Sequence, residues 1–183
     1  MADLKLIGLC GSLRSASTNR LLMNEAARLF GDADFAEGNL RFPLYDGDME
    51  SDTGIPAEVQ TLSDQIAHAD AVVISTPEYN KGIPGVLKNA LDWVSRTDGN
   101  PWKDKPVAIM SAAAGRAGGE RAQNMLRLCL FTFQPHLLQG PEVLVAASSK
   151  QFDEDGRLTN EINLKALDDL MQKLRTAAEV NKG

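Results

Sequence analysis

Sulfur and imidazole chemistry have little to work with in this chain. Of its 183 residues, two are cysteine (Cys10, Cys129) and two are histidine (His68, His136). The cysteines lie far apart in apolar settings and neither residue type recurs at ligand spacing, so neither a disulfide framework nor a metal site is expected. Paired carboxylates and Cys/His pairs suited to acid–base or nucleophilic catalysis are missing too. Apolar runs reach only strand length, whereas a bilayer-spanning helix takes about 20 residues, and the amino-terminal MADLK lacks a signal-peptide profile. Lys and Arg nowhere form a basic stripe and the formal net charge is −6, which argues against nucleic acid as a partner. The motifs GxxxxGKS/T and GxGxxG are absent, removing the nucleoside triphosphate loop and the dinucleotide fingerprint. No internal repeat divides the chain. With 43% hydrophobic residues, residues 1–183 are expected to form one domain with a sizeable core, in a soluble, cytoplasmic protein with no membrane partner.

One further absence is local. Between Leu4 and Asn24 there is no Asp or Glu, although the chain as a whole is acidic. This window starts with an apolar run of strand length, Leu4 to Cys10, closed by Gly11. A polar loop follows, with Ser12, Ser15, Ser17, Thr18 and Asn19 beside Arg14 and Arg20, and helical spacing begins at Leu22, Ala26, Leu29 and Phe30. A strand, loop and helix start in that order offer unpaired backbone N–H groups, hydroxyl donors and guanidinium groups where the helix dipole favours negative charge. A helix cap alone uses one such residue. Five hydroxyl or amide residues and two arginines exceed that need, and an anion site, most naturally for a phosphate, is the reading they support. Cys10 with Arg14 invites comparison with a phosphatase loop, but three intervening residues make too short a ring around a phosphate.

Downstream, strand and helix patterns alternate. A weaker strand, suited to a sheet edge, falls between Ala33 and Leu44, broken by Gly38 and Pro43. The turn-rich LYDGDMESDTGIP leads to a helix opened by Pro56 and marked by Val59, Leu62 and Ile66. AVVIST (71–76) and PVAIMS (106–111) have the continuous apolar character of central strands. After the first come PEYNKGIPG and a helix with Leu87, Ala90, Leu91 and Val94; after the second come AAAGRAGG and a helix with Ala122, Met125, Leu126, Cys129, Leu130 and Phe133. A last strand is expected after Pro141 (EVLVA), then a final helix capped at Thr159. Five strands alternating with five helices need crossover connections, hence a parallel sheet covered on both faces. Ligands of such sheets lie beyond the strands' carboxyl ends. There the loops 11–20, 77–85 and 111–119 converge, one suited to phosphate, one polar with an aromatic, and one of small residues that leaves room for a planar ring.

GSLRSASTN followed in order by PEYNKGIPGVLKNALDW resembles the NADPH-dependent FMN reductase family, whose members include bacterial chromate and quinone reductases and azoreductase-like proteins. EVLVAASSKQFDEDGRLTNE is similar to that family's tail, so the likeness runs from the first strand to the last helix. The resemblance implies an α/β flavodoxin-like three-layer sandwich with a five-stranded parallel sheet in the order 2-1-3-4-5. It implies FMN as bound cofactor and NAD(P)H as co-substrate, with hydride passing from nicotinamide to the flavin N5 and onward to quinones, free flavin, chromate or azo compounds. A flavin-binding redox sensor on the same scaffold is the alternative.

Carried onto this chain, the resemblance gives Ser12, Arg14, Ser17 and Asn19 to the FMN phosphate, with a backbone N–H from Thr18. It lays Pro77, Glu78, Tyr79 and Asn80 along the isoalloxazine ring and brings the third loop to the pyrimidine side through Ala113, Gly115 and Ser111. Here the chain departs from relatives that place a serine where it has Ala113, and Ser111 or backbone groups are the candidate substitutes. Glu78 is open between a general base and a structural ion pair, and Arg116 between the NADPH phosphate and a partner's acid. No protein side chain is assigned as catalytic, because the flavin carries the chemistry. The helices holding Trp93 and Met125, Leu128 and Phe131 carry more than one apolar stripe, and with the resemblance they imply a homodimer or homotetramer.

Overall fold

Every residue of the two most apolar runs, β3 (Ala71–Thr76) and β4 (Pro106–Ala112), is buried. They lie side by side in parallel, Val72 opposite Val107 and Thr76 opposite Ser111, at the centre of one sheet. This arrangement comes from a computed structural model that describes residues 4–182. On the other side of β3 lies β1 (Leu4–Cys10), and beyond it the edge strand β2 (Ala33–Glu37), also parallel. With the short β5 (His136–Leu137) beside β4, the order is β2-β1-β3-β4-β5, as the sequence resemblance implies.

Alternation along the strands sends successive side chains to opposite faces. Leu6, Cys10, Val73, Ala108 and Met110 face one layer, formed by α1 (Thr18–Phe30) and α6 (Glu161–Lys182) with Leu22, Phe30, Leu167 and Leu174. Ile7, Leu9, Ile74 and Ile109 face the other, formed by α3 (Ala57–His68), α4 (Gly85–Val94) and α5 (Glu120–Leu130) with Leu62, Leu87 and Leu126. Gly8 allows α1 to approach closely, since a Cβ there would come within 2.7 Å of the Met23 sulfur.

Three elements differ from expectation. LYDGDMESDTGIP contains a short helix, α2 (Gly47–Thr53), capped by the Asp46 side chain on the Asp48 N–H. It buries no residue, so it carries no hydrophobic period. Of the strand expected after Pro141 only β6 (Leu144–Val145) forms, and a further short strand, β5 (His136–Leu137), precedes the proline; the two pair with opposite ends of β4. Pro141 lies between them and has no N–H for a ladder bond. The cap of α6 is Asn160 rather than Thr159: Asn160 Oδ1 accepts from the Asn163 N–H at 3.0 Å, while the Thr159 hydroxyl donates to the Gln151 carbonyl. The apolar stripes of α4 and α5 also part company. Trp93 is fully buried, its Nε1 donating to the Pro43 carbonyl at 2.9 Å, whereas Leu128 and Phe131 are 76% and 83% exposed.

The start of α1 is tied to the sheet by one side chain. Asn19, buried, donates from Nδ2 to the Ala112 carbonyl (2.8 Å), and its Oδ1 accepts from the Ala112 N–H (2.9 Å) and the Ser75 hydroxyl (3.0 Å). Removing this amide strands buried polar groups on β3 and β4, each costing about 1–3 kcal/mol. Asn19→Ala is therefore expected to lower unfolding free energy by about 2–5 kcal/mol in urea titration, and a loss below about 0.5 kcal/mol would show that the tie carries no load.

Candidate functional site

The carboxyl ends of β1, β3 and β4 open into a cleft of about 460 Å³ lined by Ser12, Arg14, Ala16, Ser17, Thr18, Asn19, Pro77, Glu78, Tyr79, Ala112, Ala113, Ala114, Ser148 and Ser149. All three loops predicted to converge do so. The size lies within the usual range for small-molecule sites.

Ser17 is the N-cap of α1, with extended backbone (φ −76°, ψ 127°) and a side chain that accepts from the Asn19 N–H at 3.3 Å. The first turn of α1 has no acidic residue, so nothing offsets the positive end of the helix dipole. The loop before it is gripped from behind. Arg20 Nη1 donates to the carbonyls of Arg14 (2.7 Å) and Ser15 (3.3 Å) while its Nε binds Glu37, and Arg41 Nη2 donates to the Leu13 carbonyl at 2.8 Å. In a trans peptide the N–H points opposite to the C=O. Fixing the oxygens of residues 13–15 on the guanidinium side therefore turns the N–H groups of residues 14–16 the other way. Among the described residues, the N–H groups of Ser15, Ala16, Ser17 and Thr18 meet no protein acceptor. Arg20 is thus a brace for the loop, not a second guanidinium offered to an anion. Asn19 lines the cleft, but its amide is committed to Ser75 and Ala112. Thr18 adds a hydroxyl that donates to Ser148 Oγ at 3.0 Å.

The second loop is a tight hairpin. Tyr79 and Gly82 exchange both backbone hydrogen bonds (3.0 and 3.1 Å), with Asn80 and Lys81 between them at φ 50° and 71°, the pair of positive angles of a type I′ turn. Asn80 lies at the exposed tip, outside the cleft lining, and Tyr79 is 49% exposed beside it. Glu78 resolves toward structure: its carboxylate accepts from the Arg121 N–H in the first turn of α5 at 3.1 Å and pairs with the Arg121 guanidinium at 3.8 Å. The anion therefore caps a helix and fastens the second loop to the third.

In the third loop, Ala113 lines the cleft and Gly115 does not. Ser111 is fully buried. Its hydroxyl donates to the Gly118 carbonyl at 2.6 Å and accepts from Gln123 Nε2 at 2.9 Å, so it builds the loop and does not replace the missing serine at the cleft. Gly118 and Gly119 have φ of 60° and 96°, and a Cβ at Gly119 would meet the Ser111 side chain at 2.7 Å. Arg116 is exposed. Cys10 lies beneath the first loop, where burial pushes its thiol pKa up, against any nucleophilic role. No group of His, Cys, Asp and Glu among the described residues could hold a metal ion.

Sequence reasoning missed Ser148 and Ser149. Ser148 is buried, its N–H donating to the Ala113 carbonyl at 3.1 Å. Two consecutive serines after the last strand, in VAASSK, were the available signal.

Similarity to known proteins agrees with this geometry. The family model for NADPH-dependent FMN reductase matches residues 4–150. An NAD(P)H-dependent FMN reductase of Pseudomonas aeruginosa is 41% identical over 175 residues, 94% of this chain and 92% of the relative. A quinone reductase of Escherichia coli is 37% identical over 153 residues, 82% of this chain and 81% of the relative. Among solved structures, FerB, a flavoenzyme NAD(P)H:(acceptor) oxidoreductase from Paracoccus denitrificans, superposes with a TM-score of 0.86 at 32% identity, covering 97% of this chain and 98% of that one. A cleft that presents unsatisfied N–H groups at an acid-free helix start, on a sheet of this order and with relatives of this closeness, leaves one conclusion: the chain belongs to the NADPH-dependent FMN reductase family.

Proposed function

We propose that this protein holds FMN with the phosphate at the start of α1 and the ring along Pro77–Tyr79, and reduces quinones or similar small oxidised acceptors with NAD(P)H. The observation that carries this reading is the row of N–H groups from Ser15 to Thr18 without a protein acceptor, at a helix terminus with no acid in its first turn. Those donors fit a phosphate, and the hydroxyls of Ser12, Ser17 and Thr18 surround the same space. Arg14, exposed at the rim, adds the compensating charge.

FMN held there would supply the hydride and electron-transfer chemistry. The chain's own residues position and enclose. Asn19 fixes the helix terminus, and Arg20 with Arg41 fixes the loop, so the donors are set before the ligand arrives. Pro77 and Tyr79 form one wall for the ring. Ala112, Ala113 and Ala114 leave the other side free of long side chains, so that backbone groups there can meet the ring edge. Glu78 keeps the two walls together through the cap on α5.

The chain also forms a homo-oligomer through α5. Leu128, Phe131 in the turn that follows α5, and Met125 are 76%, 83% and 40% exposed; isolated exposed apolar residues are ordinary, but three large ones on successive turns favour a partner surface.

Two measurements test this function. The purified protein binds FMN, NADH or NADPH added without oxygen bleaches the flavin absorbance, and a quinone restores it; Arg14→Ala with Ser17→Ala weakens FMN about 100-fold or more. A bound flavin that stays oxidised would point instead to a binding or sensor role. In light scattering at micromolar concentration the protein has at least twice the monomer mass and Leu128→Glu with Phe131→Glu has the mass of one chain. A monomeric parent protein would refute the oligomer.

A further inference from the structure

Glu25 is an unusual residue to find at 1% side-chain exposure inside the α1 layer, because an ionised carboxylate is costly to bury unless it is paired. It is paired twice. Arg28 on the next turn donates from Nε and Nη2 at 2.9 and 2.8 Å, and Arg157, far away in sequence, donates from Nη1 to Oε2 at 3.1 Å. Burial alone would raise the carboxyl's pKa, yet the two guanidinium groups outweigh it and hold the pKa below the usual range, so the group is an anion at neutral pH.

Arg157 belongs to a small folded segment. Its N–H donates to Asp153 Oδ1 at 2.8 Å and its carbonyl accepts from the Asp153 N–H at 3.0 Å. Phe152 bridges Leu158, and both the N–H and the hydroxyl of Thr159 donate to the Gln151 carbonyl, at 2.9 and 3.1 Å. Gln151 in turn donates its N–H to the Ser148 carbonyl at 3.3 Å. The segment thus begins at the cleft serines and ends at the Glu25 anchor.

On α1 the anchors form a row. Thr18, Leu21 and Glu25 are spaced i, i+3 and i+7, one stripe of a helix, and about 10 Å separates the first from the last along the axis. Thr18 binds Ser148. Leu21 lies against Gly156, where a Cβ would meet its Cδ2 at 3.1 Å. Glu25 binds Arg157.

We propose that Glu25 is a positioning residue for the cofactor phosphate: with Thr18 it pins residues 148–158 along one stripe of α1 and so sets Ser148 and Ser149 at the phosphate end of the cleft. The proposal rests on the phosphate reading given above. It assigns the two serines to the phosphate and explains why a carboxylate two helical turns from the cleft is kept in the core.

The test compares affinity for FMN with affinity for riboflavin, which has the same ring without the phosphate, by quenching of flavin fluorescence. Arg157 is half exposed, and Arg157→Ala leaves the Glu25–Arg28 pair in place, so native circular dichroism is expected. In this variant the ratio of FMN to riboflavin affinity falls roughly five- to tenfold, riboflavin binding is unchanged, and Glu25→Gln gives a similar loss. Arg157→Lys recovers most of the ratio. Ser148→Ala with Ser149→Ala lowers the ratio as well, and adding Arg157→Ala to that pair lowers it no further. If the serine pair lowers the ratio while Arg157→Ala and Glu25→Gln do not, the anchoring role is wrong and the phosphate site stands. If neither the serine pair nor Arg14→Ala with Ser17→Ala moves the ratio, the phosphate reading fails and this proposal fails with it.

Discussion

The Asn19 side chain, bonded at once to both backbone groups of Ala112 and to the Ser75 hydroxyl, is the constraint on which the cleft depends. It joins the first turn of α1 to β3 and β4 at their carboxyl ends, where a helix would otherwise be free to slide along the sheet. The terminal N–H groups of a helix are common to all helices. What is particular here is that their position relative to the second and third loops is fixed from inside the core, and Gly8 lets the helix lie close enough for the tie to be short.

Electrostatics follows the same economy. The chain is acidic overall, but acids are kept out of residues 4–24, and the nearest ones act elsewhere. Glu37 engages Arg20, Glu78 caps α5, and Glu25 is buried against two arginines. Arg20 and Arg41 in turn hold loop carbonyls, so that cationic side chains serve mainly to orient dipoles while Arg14 is left at the rim. Fixed donors of this kind cost no reorganisation when an anion arrives.

The central strands and the first loop were legible because each leaves a local signature, whereas the order of the strands came from the family resemblance. Continuous apolar runs mark β3 and β4, and a cluster of small polar residues marks the start of α1. Elements that make few buried contacts left little: α2 buries nothing, β5 is two residues long, and of the strand read at EVLVA only Leu144 and Val145 pair. In the site, residue type was informative but direction was not. Ser111 and Asn19 have the chemistry of ligand-binding residues, yet the first is turned wholly into the core toward Gly118 and Gln123, and the second is held by the sheet. Arg20 and Glu78 likewise found partners whose positions only the folded chain defines. Ser148 and Ser149 were missed for the same reason although the strand before them was read, since a pair of serines says nothing about which way the turn after β6 carries them.

Backbone N–H groups at the start of α1 are proposed to receive the phosphate of FMN. Amide hydrogen exchange followed by NMR on the protein without flavin, with riboflavin and with FMN tests this assignment most directly. The amides of Ser15, Ala16, Ser17 and Thr18 are expected to exchange readily without flavin and with riboflavin, and to become protected only when FMN is bound. FMN bound to saturation with those four amides still exchanging as before would contradict it.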